Sequence, residues 1–392
     1  MVKRMNKIEK LIDELCPDGV ELKSIGEICQ ISRGRVISKD YLIINAGEYP
    51  VYSSQTANQG IFGRINTYDY NGEYVTWTTD GANAGSVFYR NGKFSITNVC
   101  GLLKPKENNL DTKYLSYVLG ITAKSYVSAG MGNPKLMSNV TAKIKIPIPP
   151  LAIQEEIIKI LDNFTQLEEE LEEELEARKR QYEHYRENLL TFDEREGGVR
   201  RAALSEITDF MNGKGHEKNI DENGEYIVVN SKFVSTEGKV KKYSVEQICP
   251  TFKKNILMVM SDLPNGRALA KCFYVDQNDK YTLNQRICAL TVKDNDNLNA
   301  KYLFYILNRN KQLLRHDNGA DQTNLRKNDI LKIKIPVPEM SEQKRIVFIL
   351  DKFDALVSDI SIGLPAELNA RKKQYEYYRE KLLTFRENEH AK

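Results

Sequence analysis

The chain has 392 residues, of which 41% are hydrophobic and 28% charged, with a formal net charge of +3. This length favours two or three domains, and the apolar content can supply a core for each. No apolar run approaches the ~18 residues of a membrane-spanning helix, and the charged start has no signal-peptide stretch, so we expect a cytoplasmic protein with no membrane partner.

Metal and disulfide chemistry are not indicated by the cysteines and histidines. The six cysteines include no C-x-x-C pair, and only four histidines are available to help bind a metal. We therefore expect reduced, mostly buried thiols, no metal site and no cofactor bound by the chain itself.

The chain repeats its own sequence. Residues 143–164 read KIKIPIPPLAIQEEIIKILDNF, and residues 332–353 read KIKIPVPEMSEQKRIVFILDKF, with 12 of 22 positions identical. Residues 177–192, ARKRQYEHYRENLLTF, recur as ARKKQYEYYREKLLTF at 370–385, with 13 of 16 identical. A period of about half the chain indicates two domain-sized copies rather than a short-repeat solenoid, and two such copies can imitate a two-fold dimer.

Each copy begins with a region typical of an irregular, mainly β domain. Short β-branched or aromatic runs bounded by Gly, Asn or Asp predict strands at 73–79 and 86–90 in the first copy. Similar runs predict strands at 225–229, 255–260 and 272–275 in the second copy. Leu and Tyr at helical spacing predict one helix near the end of each region, at 111–120 and 299–308.

Each copy ends in a predicted helical arm that follows a proline-rich segment. In the first copy, apolar residues at alternating steps of three and four indicate a coiled-coil helix over 151–192, ~63 Å long at ~1.5 Å per residue. In the second copy, Ser341 is the expected N-cap, and Gly363-Leu364-Pro365 should interrupt the helix. The arms can pair with each other, antiparallel, or pair between chains as a simple dimerisation coiled coil.

The patterns together predict an α+β fold of two mainly β domains related by pseudo-two-fold symmetry and separated by two long antiparallel helices that form a coiled coil. We place the first β domain at residues 1–142 and its arm at 143–195, and the second β domain at 196–331 and its arm at 332–392.

Charge is segregated along the chain. Residues 155–196 hold 15 Asp plus Glu against 6 Lys plus Arg, a balance of −9, which leaves +12 for the remainder. A basic excess outside an acidic rod is compatible with nucleic-acid binding, although many proteins with this balance bind none.

Catalytic motifs are missing from the sequence. It has no phosphate-binding loop, no dinucleotide fingerprint, no zinc-protease motif and no Asn/Asp-Pro-Pro-aromatic motif of an amino-methyltransferase. Pro17-Asp18 and Glu21-Leu22-Lys23 resemble the halves of a restriction-nuclease site, but two residues separate them and the second copy lacks both carboxylates.

Three further features have two interpretations each. Residues 81–85, GANAG, are a phosphate cradle or, more commonly, a turn. Trp77 is a stacking platform or, in a strand pattern, a core residue. His216 lies in a Gly- and Lys-containing segment, where it could meet phosphate.

Four features carry a resemblance to a known family. They are the arm sequences QEEIIKILDNF and EQKRIVFILDKF, the boundaries IPIPP and IPVPE, the arm ends at 177–192 and 370–385, and the opening CPDGVELKSIGEI. In these features the chain resembles the specificity subunit of type I restriction-modification systems. This resemblance implies two target-recognition domains, each reading half of a bipartite double-stranded DNA site, and arms that dock two modification (adenine-methyltransferase) subunits. Restriction subunits would join that core. S-adenosylmethionine, ATP and Mg²⁺ are then expected on the partner subunits, and the chain itself is not expected to be an enzyme.

Candidate DNA-contacting residues are polar or basic residues of the predicted recognition domains. Those able to read base edges are Ser53, Ser54, Gln55, Asn58, Gln59, Thr79 and Asn83 in the first domain and Asn230, Ser231, Lys232, Gln322 and Asn324 in the second. Those suited to phosphate are Arg33, Arg35, Lys135, Lys214, Lys218, Arg267, Arg326 and Lys327. The alternative is a scaffold with two protein-binding β domains, which would show no salt-steep DNA binding.

Overall fold

The computed structural model describes residues 2–128, 132–192, 199–264, 266–358 and 363–388. The chain forms two compact units, one comprising Met1–Glu173 with Ala366–Lys392 and the other comprising Glu174–Pro365. Each unit therefore combines a β domain with segments of both arms. The predicted boundary between residues 195 and 196 lies outside the described residues, and the four-domain division stays a prediction.

The elements of the first half of the chain follow in order. They are α1 (Val2–Leu15), β1 (Leu22–Ser24), α2 (Ile25–Ile28), β2 (Cys29–Arg33), α3 (Lys39–Ile44), β3 (Ala46–Tyr52), β4 (Ile61–Ile65), β5 (Tyr70–Thr78), β6 (Val87–Ile96), β7 (Cys100–Pro105), α4 (Thr112–Thr122), α5 (Ser138–Thr141), β8 (Lys145–Pro147) and α6 (Leu151–Leu190), with 3₁₀ turns at Ala57–Gly60 and Ala123–Tyr126.

The second half of the chain has a similar order. Its elements are β9 (Arg201–Ala203), α7 (Leu204–Ile207), β10 (Thr208–Asn212), β11 (Tyr226–Val229), α8 (Ser231–Ser235), β12 (Tyr243–Ser244), β13 (Ile256–Val259), β14 (Ser261–Asp262), β15 (Cys272–Tyr274), β16 (Tyr281–Leu283), β17 (Ile287–Val292), α9 (Ala300–Leu307), α10 (Lys311–Leu314), β18 (Thr323–Asn324), α11 (Lys327–Leu331), β19 (Lys334–Pro336), α12 (Met340–Ser358) and α13 (Leu364–Leu383).

The predicted strands and helices before the arms are confirmed. In the first unit, six strands form one sheet in the order β2-β7-β5-β6-β3-β4, antiparallel except for the β3–β6 pair. In the second unit, the corresponding strands form a four-stranded sheet, β10-β17-β13-β15, and a three-stranded sheet, β12-β11-β16, in which β11 and β16 are parallel. The long strand β6 of the first unit thus corresponds to two short strands, β15 and β16.

Core packing decides the role of Trp77, which the sequence left with two interpretations. Trp77 is 1% exposed, and its indole N–H donates to the Leu136 carbonyl at 3.0 Å, so the core interpretation is confirmed. Gly101 leaves room for the ring, because a Cβ there would overlap it. All six cysteines lie in the described part of the chain and are buried without a disulfide.

The first arm, α6, is one continuous helix of 40 residues and ~60 Å, two residues shorter than predicted. The second arm is interrupted as predicted. Its first part, α12, ends at Ser358, and α13 begins at Leu364, so Pro365 occupies the first turn, where a missing N–H costs least. No helix in the described ranges is long and apolar enough to cross a membrane.

The predicted N-cap of the second arm is wrong. Ser341 lies inside the first turn of α12, which begins at Met340. The Glu339 carbonyl accepts the backbone N–H groups of Glu342 and Gln343, so the helix starts directly after the Pro338-Glu339 segment. The arm therefore begins before the residue whose side chain suggested a cap.

A buried glutamine joins each arm to the helix that precedes it. In the first unit, the Gln154 side chain accepts the Asp111 backbone N–H at 2.9 Å and donates to the carbonyls of Asn109 and Pro149 at 2.8 and 2.7 Å. In the second unit, Gln343 makes the same three bonds, with Asn299, Asn297 and Pro338 at 2.8, 3.0 and 2.8 Å.

An aspartate in each arm extends this connection, which we call the arm-root contact. Asp162 of α6 accepts from Lys113 at 2.7 Å and from the Tyr117 hydroxyl at 2.5 Å, both of which lie on α4. In the second unit, Asp351 of α12 accepts in the same way from residues of α9, Lys301 at 2.9 Å and Tyr305 at 2.5 Å. The repeated sequence therefore encodes a repeated set of contacts, which fixes each β domain on the start of its own arm.

The end of each arm packs on the start of the other. In the first unit, Tyr378 of α13 stacks on Phe164 of α6, with ring centroids 5.5 Å apart and planes at 29°. In the second unit, Tyr185 of α6 stacks on Phe353 of α12 at 5.3 Å and 28°. In the first unit the two helices run antiparallel, because Lys372 of α13, one and a half turns before Tyr378, pairs with later residues of α6.

Candidate nucleic-acid interface

A short turn between β6 and β7 lies at the centre of the candidate site in the first unit. The Cys100 N–H donates to the Thr97 carbonyl at 3.0 Å and closes the turn. The Gly34 N–H donates to the Cys100 carbonyl at 3.3 Å, and the Thr79 N–H donates to the Val99 carbonyl at 3.1 Å. The segments that follow β2 and β5 therefore meet at this turn.

Two more segments join the same place. The Thr97 N–H donates to the Tyr52 carbonyl at 2.9 Å, which brings residues 53–55 to the turn. The Leu136 N–H donates to the Thr79 carbonyl at 2.9 Å, which brings Lys135 there. We call residues 33–35, 53–55, 79–80, 97–99 and 135 the first recognition edge.

The second unit repeats this frame with different side chains. The equivalent bonds are Ile287 N to Asn284 O at 2.9 Å, Gly213 N to Ile287 O at 3.0 Å, Met260 N to Arg286 O at 2.9 Å, Asn284 N to Val229 O at 3.1 Å and Leu325 N to Met260 O at 2.7 Å. The second recognition edge accordingly consists of residues 212–214, 230–232, 260–262, 284–286 and 324.

A glycine is required at the same point of both edges. A Cβ at Gly34 would overlap the Ile96 carbonyl oxygen, and a Cβ at Gly213 would overlap the Asn284 carbonyl oxygen. The following residue is basic in both copies, Arg35 and Lys214, and both are exposed. Close backbone approach thus places a basic side chain beside each turn, and that of Arg35 pairs with Asp69 at 3.0 Å.

The first edge is charged. Arg33 donates to the Thr79 hydroxyl at 2.7 Å and to the Asn98 carbonyl at 2.6 Å. Asp80 lies between two cations, 3.7 Å from Arg33 and 3.7 Å from Lys135. Thr79, a predicted base-contacting residue, is fully buried, so in this structure its hydroxyl orients Arg33 and Asp80 instead of facing solvent.

The second edge borders a polar cavity of about 340 Å³. Its lining residues are His316, Asn318, Gln322, Thr323, Asn324, Arg326 and Asp329. The Gln322 amide donates to the Ser261 hydroxyl at 2.9 Å and to the Asn324 side-chain oxygen at 3.3 Å. Three predicted DNA-contacting residues, at 322, 324 and 326, therefore line one cavity.

Two predicted base-contacting segments have side chains with local partners. The amide of Gln55 donates to the Ile61 carbonyl, and the Asn230 side chain caps α8 by accepting the Phe233 N–H at 2.8 Å. Ser231 is partly buried, and its hydroxyl has no hydrogen-bond partner among the described residues. The Ser53 hydroxyl accepts from the Thr97 hydroxyl at 2.9 Å.

The loop beyond Gln55 is held by a buried arginine. Asn58 and Gln59 have φ angles of 49° and 51°, and the Gln59 carbonyl accepts from Arg90 at 2.8 Å. Burial lowers the pKa of Arg90, whose guanidinium lies 3.6 Å from the centroid of the Tyr52 ring. Asn58 and Gln59 are exposed at the loop tip, where the second unit has α8 instead.

The remaining predicted residues are placed less uniformly. Asn83 lies in the loop after β5, whose Gly81 N–H donates to the Pro134 carbonyl beside Lys135. Lys232 lies in the first turn of α8, and Lys327 is the first residue of α11. Arg267 follows β14, and all three residues are exposed. Lys218 belongs to a separate loop, residues 215–220, which is not among the segments of the second edge.

His216 does not meet solvent. It is 1% exposed, and its ring nitrogens bond the Lys214 carbonyl at 2.8 Å and the Thr282 hydroxyl at 2.7 Å. The interpretation of His216 as a phosphate contact is therefore wrong for this structure. No group of His, Cys, Asp and Glu suited to a metal ion occurs among the described residues.

Sequence reasoning missed the two central turns, 97–99 and 284–286. The signal was weak, because the flanking segments FSITNVCGLL (94–103) and YTLNQRICAL (281–290) share few identities and only a pattern of aromatic, apolar and polar positions. The exposed side chains of Asn98, Gln285 and Arg286 project from these turns.

The chain matches known proteins over most of its length. The family model for the type I restriction modification DNA specificity domain matches residues 17–177 and again residues 198–370. A putative type I specificity subunit of Mycoplasma pneumoniae is 32% identical over 373 residues, which cover 93% of this chain and 98% of the relative.

Solved structures share the fold. The crystal structure of a type I restriction-modification S subunit from M. genitalium superposes with a TM-score of 0.56 at 19% identity, covering 93% of this chain and 96% of that one. A chain from a study of complex assembly and conformational transition of the type I system gives 0.60 at 14% identity, covering 93% and 97%. Two matched specificity domains and a relative that spans nearly the whole chain show that this protein belongs to the type I restriction-modification specificity subunits.

Proposed function

We propose that each recognition edge reads one half of a bipartite double-stranded DNA site. The arms dock two modification subunits, which methylate adenine, and restriction subunits join through them. The chain contributes recognition and no catalysis. S-adenosylmethionine, ATP and Mg²⁺ belong to the partner subunits in this proposal.

The observation that carries the proposal is the repeated frame with unlike side chains. Five backbone hydrogen bonds recur at equivalent positions. The side chains there differ, because Arg33, Asp80 and Lys135 of the first edge are replaced by Asn212, Ser261 and Asn324 in the second. Sequence readout requires varied donors and acceptors on a fixed backbone. Two such edges on one chain suit a target with two different halves.

Electrostatics supports DNA as the ligand. The acidic stretch from residue 155 to 196 carries −9, and the rest of the chain, which includes both β domains, carries +12. Phosphate is therefore repelled from that stretch and attracted to the remainder. Arg33, Lys135 and Arg326 lie next to the groups that would face bases, where contacts to phosphate would fix the register of the protein on the duplex.

The length of α6 suits a target with two separate half-sites. Half-sites read from one face of B-DNA are about 34 Å apart, and α6 is a continuous helix of ~60 Å. The arm-root contacts attach each β domain to the start of its own arm. Exposed arm surface is then available for the modification subunits.

The test is coexpression with a type I modification subunit from the same host, followed by sequencing of methylated adenines. We expect a 2:1 complex that methylates a split motif, and DNA binding that falls steeply with salt. Methyl transfer by the purified chain alone would overturn the non-catalytic role. An assembled complex without salt-dependent DNA binding would instead support the scaffold alternative.

Exchange of residues 20–142 for those of a relative tests whether the two β domains read DNA independently. One half-site should change while the other is retained, because each β domain lies on its own arm root. A change in both half-sites would contradict the two-reader proposal.

A further inference from the structure

The central turns of the two edges each present one unpaired carboxamide. Asn98 and Gln285 occupy the same position, one residue after Thr97 and Asn284, and both are exposed. Neither side chain has a hydrogen-bond partner in the described part of the chain. An amide without a hydrogen-bond partner among the described residues is available to a ligand.

The backbone around Asn98 is fixed on both sides. Its own carbonyl accepts from Arg33 at 2.6 Å, and the next carbonyl, of Val99, accepts the Thr79 N–H at 3.1 Å. The turn itself is closed by the bond between Thr97 and Cys100. The Asn98 side chain therefore projects from a rigid support, which reduces the entropy lost on binding.

The second turn has comparable support. The Arg286 carbonyl accepts the Met260 N–H at 2.9 Å, and the Arg286 N–H donates to the side chain of Asn284 at 3.3 Å. Gly215 leaves room beside the Gln285 amide, whose oxygen would lie 2.8 Å from a Cβ at that position. The longer side chain of Gln285 is thus accommodated without a clash.

The chemistry of a carboxamide selects among bases. It offers a donor and an acceptor side by side, which match N7 and the N6 amino group of adenine in the major groove. The same polar type recurs at this position although the neighbouring residues differ, Val99 in one copy and Arg286 in the other. A structural role would not require an exposed amide at both turns.

We propose that Asn98 and Gln285 are specificity-determining residues that each read one adenine, in the first and second half-site respectively. This inference rests on the proposed DNA-reading function and assigns its central contacts.

The experiment uses the full chain assembled with its modification subunits. Asn98→Ala and Gln285→Ala are compared with the unchanged protein by sequencing methylated adenines and by methylation rates on duplexes substituted at each motif position. Asn98→Ala should lower discrimination at one A·T pair of the first half-site roughly 10-fold to 100-fold and leave the second half-site unchanged. Gln285→Ala should do the reverse.

The chain offers matched controls. Asn108 and Asn295 are exposed amides in the turns before α4 and α9, away from the recognition edges. Asn108→Ala and Asn295→Ala should leave both half-sites unchanged. Equal loss of discrimination in the control and turn variants would overturn the assignment.

Near-isosteric variants guard against a folding defect. Asn98→Asp and Gln285→Glu keep the shape but remove the donor, so preference at the affected pair should shift away from adenine. Retention of the full adenine preference by all four turn variants would overturn the inference. Failure of the unchanged complex to methylate any split motif would instead overturn the proposed function itself.

Discussion

The two units agree most closely at the arm root and least in their sheets. Gln154 and Gln343 each make the same three buried hydrogen bonds, whereas β6 is one strand in the first unit and its counterpart is divided between β15 and β16. The attachment of a β domain to its arm therefore tolerates little change. The sheet behind the recognition edge can be reorganised as long as five backbone bonds are kept.

The two recognition edges also differ, in the side chains that they carry. Asp80 lies between Arg33 and Lys135 in the first, while amides and Arg326 line a polar cavity in the second. A constant backbone with unlike side chains is what two different half-sites would require. Substitutions at the arm root and at the edges therefore separate the constant parts from the variable ones.

The largest effect is expected from the glutamines of the arm root. Gln154→Ala and Gln343→Ala each leave buried groups without partners, which should destabilise the corresponding unit by about 3 kcal/mol. Hydrogen exchange measured by mass spectrometry resolves the two units. If the losses of stability in the two variants differ by more than about 1 kcal/mol, the two arm-root contacts are not equivalent. Gln166→Ala, on an exposed face of α6, is the control and should change less than about 0.5 kcal/mol.

Glycine substitution at the edges should have the next largest effect. Gly34→Ala and Gly213→Ala each place a Cβ against a backbone carbonyl, which should cost about 2 kcal/mol and weaken one half-site only. Stability and the methylated motif of the assembled complex measure both consequences. Gly120→Ala in α4 meets no atom within 4 Å and should be neutral or stabilising by up to about 1 kcal/mol. A tolerated Gly34→Ala with unchanged stability would show that the edge is not tightly packed.

Loss of the aromatic stacking between the arms should reduce stability by a smaller amount. Tyr378→Leu and Tyr185→Leu remove equivalent ring contacts and should each cost about 1 kcal/mol beyond the change in buried area. Local exchange near Phe164 and Phe353 should rise by similar factors. A loss confined to one unit would indicate that the two arm ends are not interchangeable.

The smallest effect is expected from replacing two lysines at equivalent positions of the arms. Lys372 pairs with Glu172 at 2.8 Å and Glu168 at 3.3 Å, whereas Lys179 pairs within its own helix with Glu176. Lys372→Ala should lower stability by about 0.5 kcal/mol at low salt, and Lys179→Ala by less, because exposed pairs are screened by solvent. Thermal unfolding at two salt concentrations distinguishes them, and identical results would mean that the pair between helices adds nothing.

Much of the fold was predictable because it rests on local signals. The strand at 73–79, the helix at 111–120 and the interruption at Gly363-Leu364-Pro365 follow from periodicity, capping and proline chemistry, and all three are confirmed. Ser341 misled because the helix begins one residue before it, with the backbone of Glu339 supplying the first acceptor.

The candidate edges were predictable only in part. Their residue types made Arg33 and Lys135 candidates, and both lie in the first edge, where their role in DNA contact stays a prediction. The burial of Thr79 and His216 was not predicted, because it depends on strands far away in the chain. The turn at Asn98 escaped notice because its importance comes from four other segments that converge on it. No pattern within the turn itself carries that information.

The first unit includes Ala366–Lys392, whereas the second is the contiguous stretch Glu174–Pro365. During synthesis, roughly 200 residues must follow Glu173 before Tyr375 and Tyr378 can cover Phe164, a delay of roughly 10–40 s at about 5–20 residues per second. The copy that leaves the ribosome first is thus the last to have all its segments. Until then Phe164 lacks its aromatic cover, and the nascent chain presents that surface to chaperones and proteases.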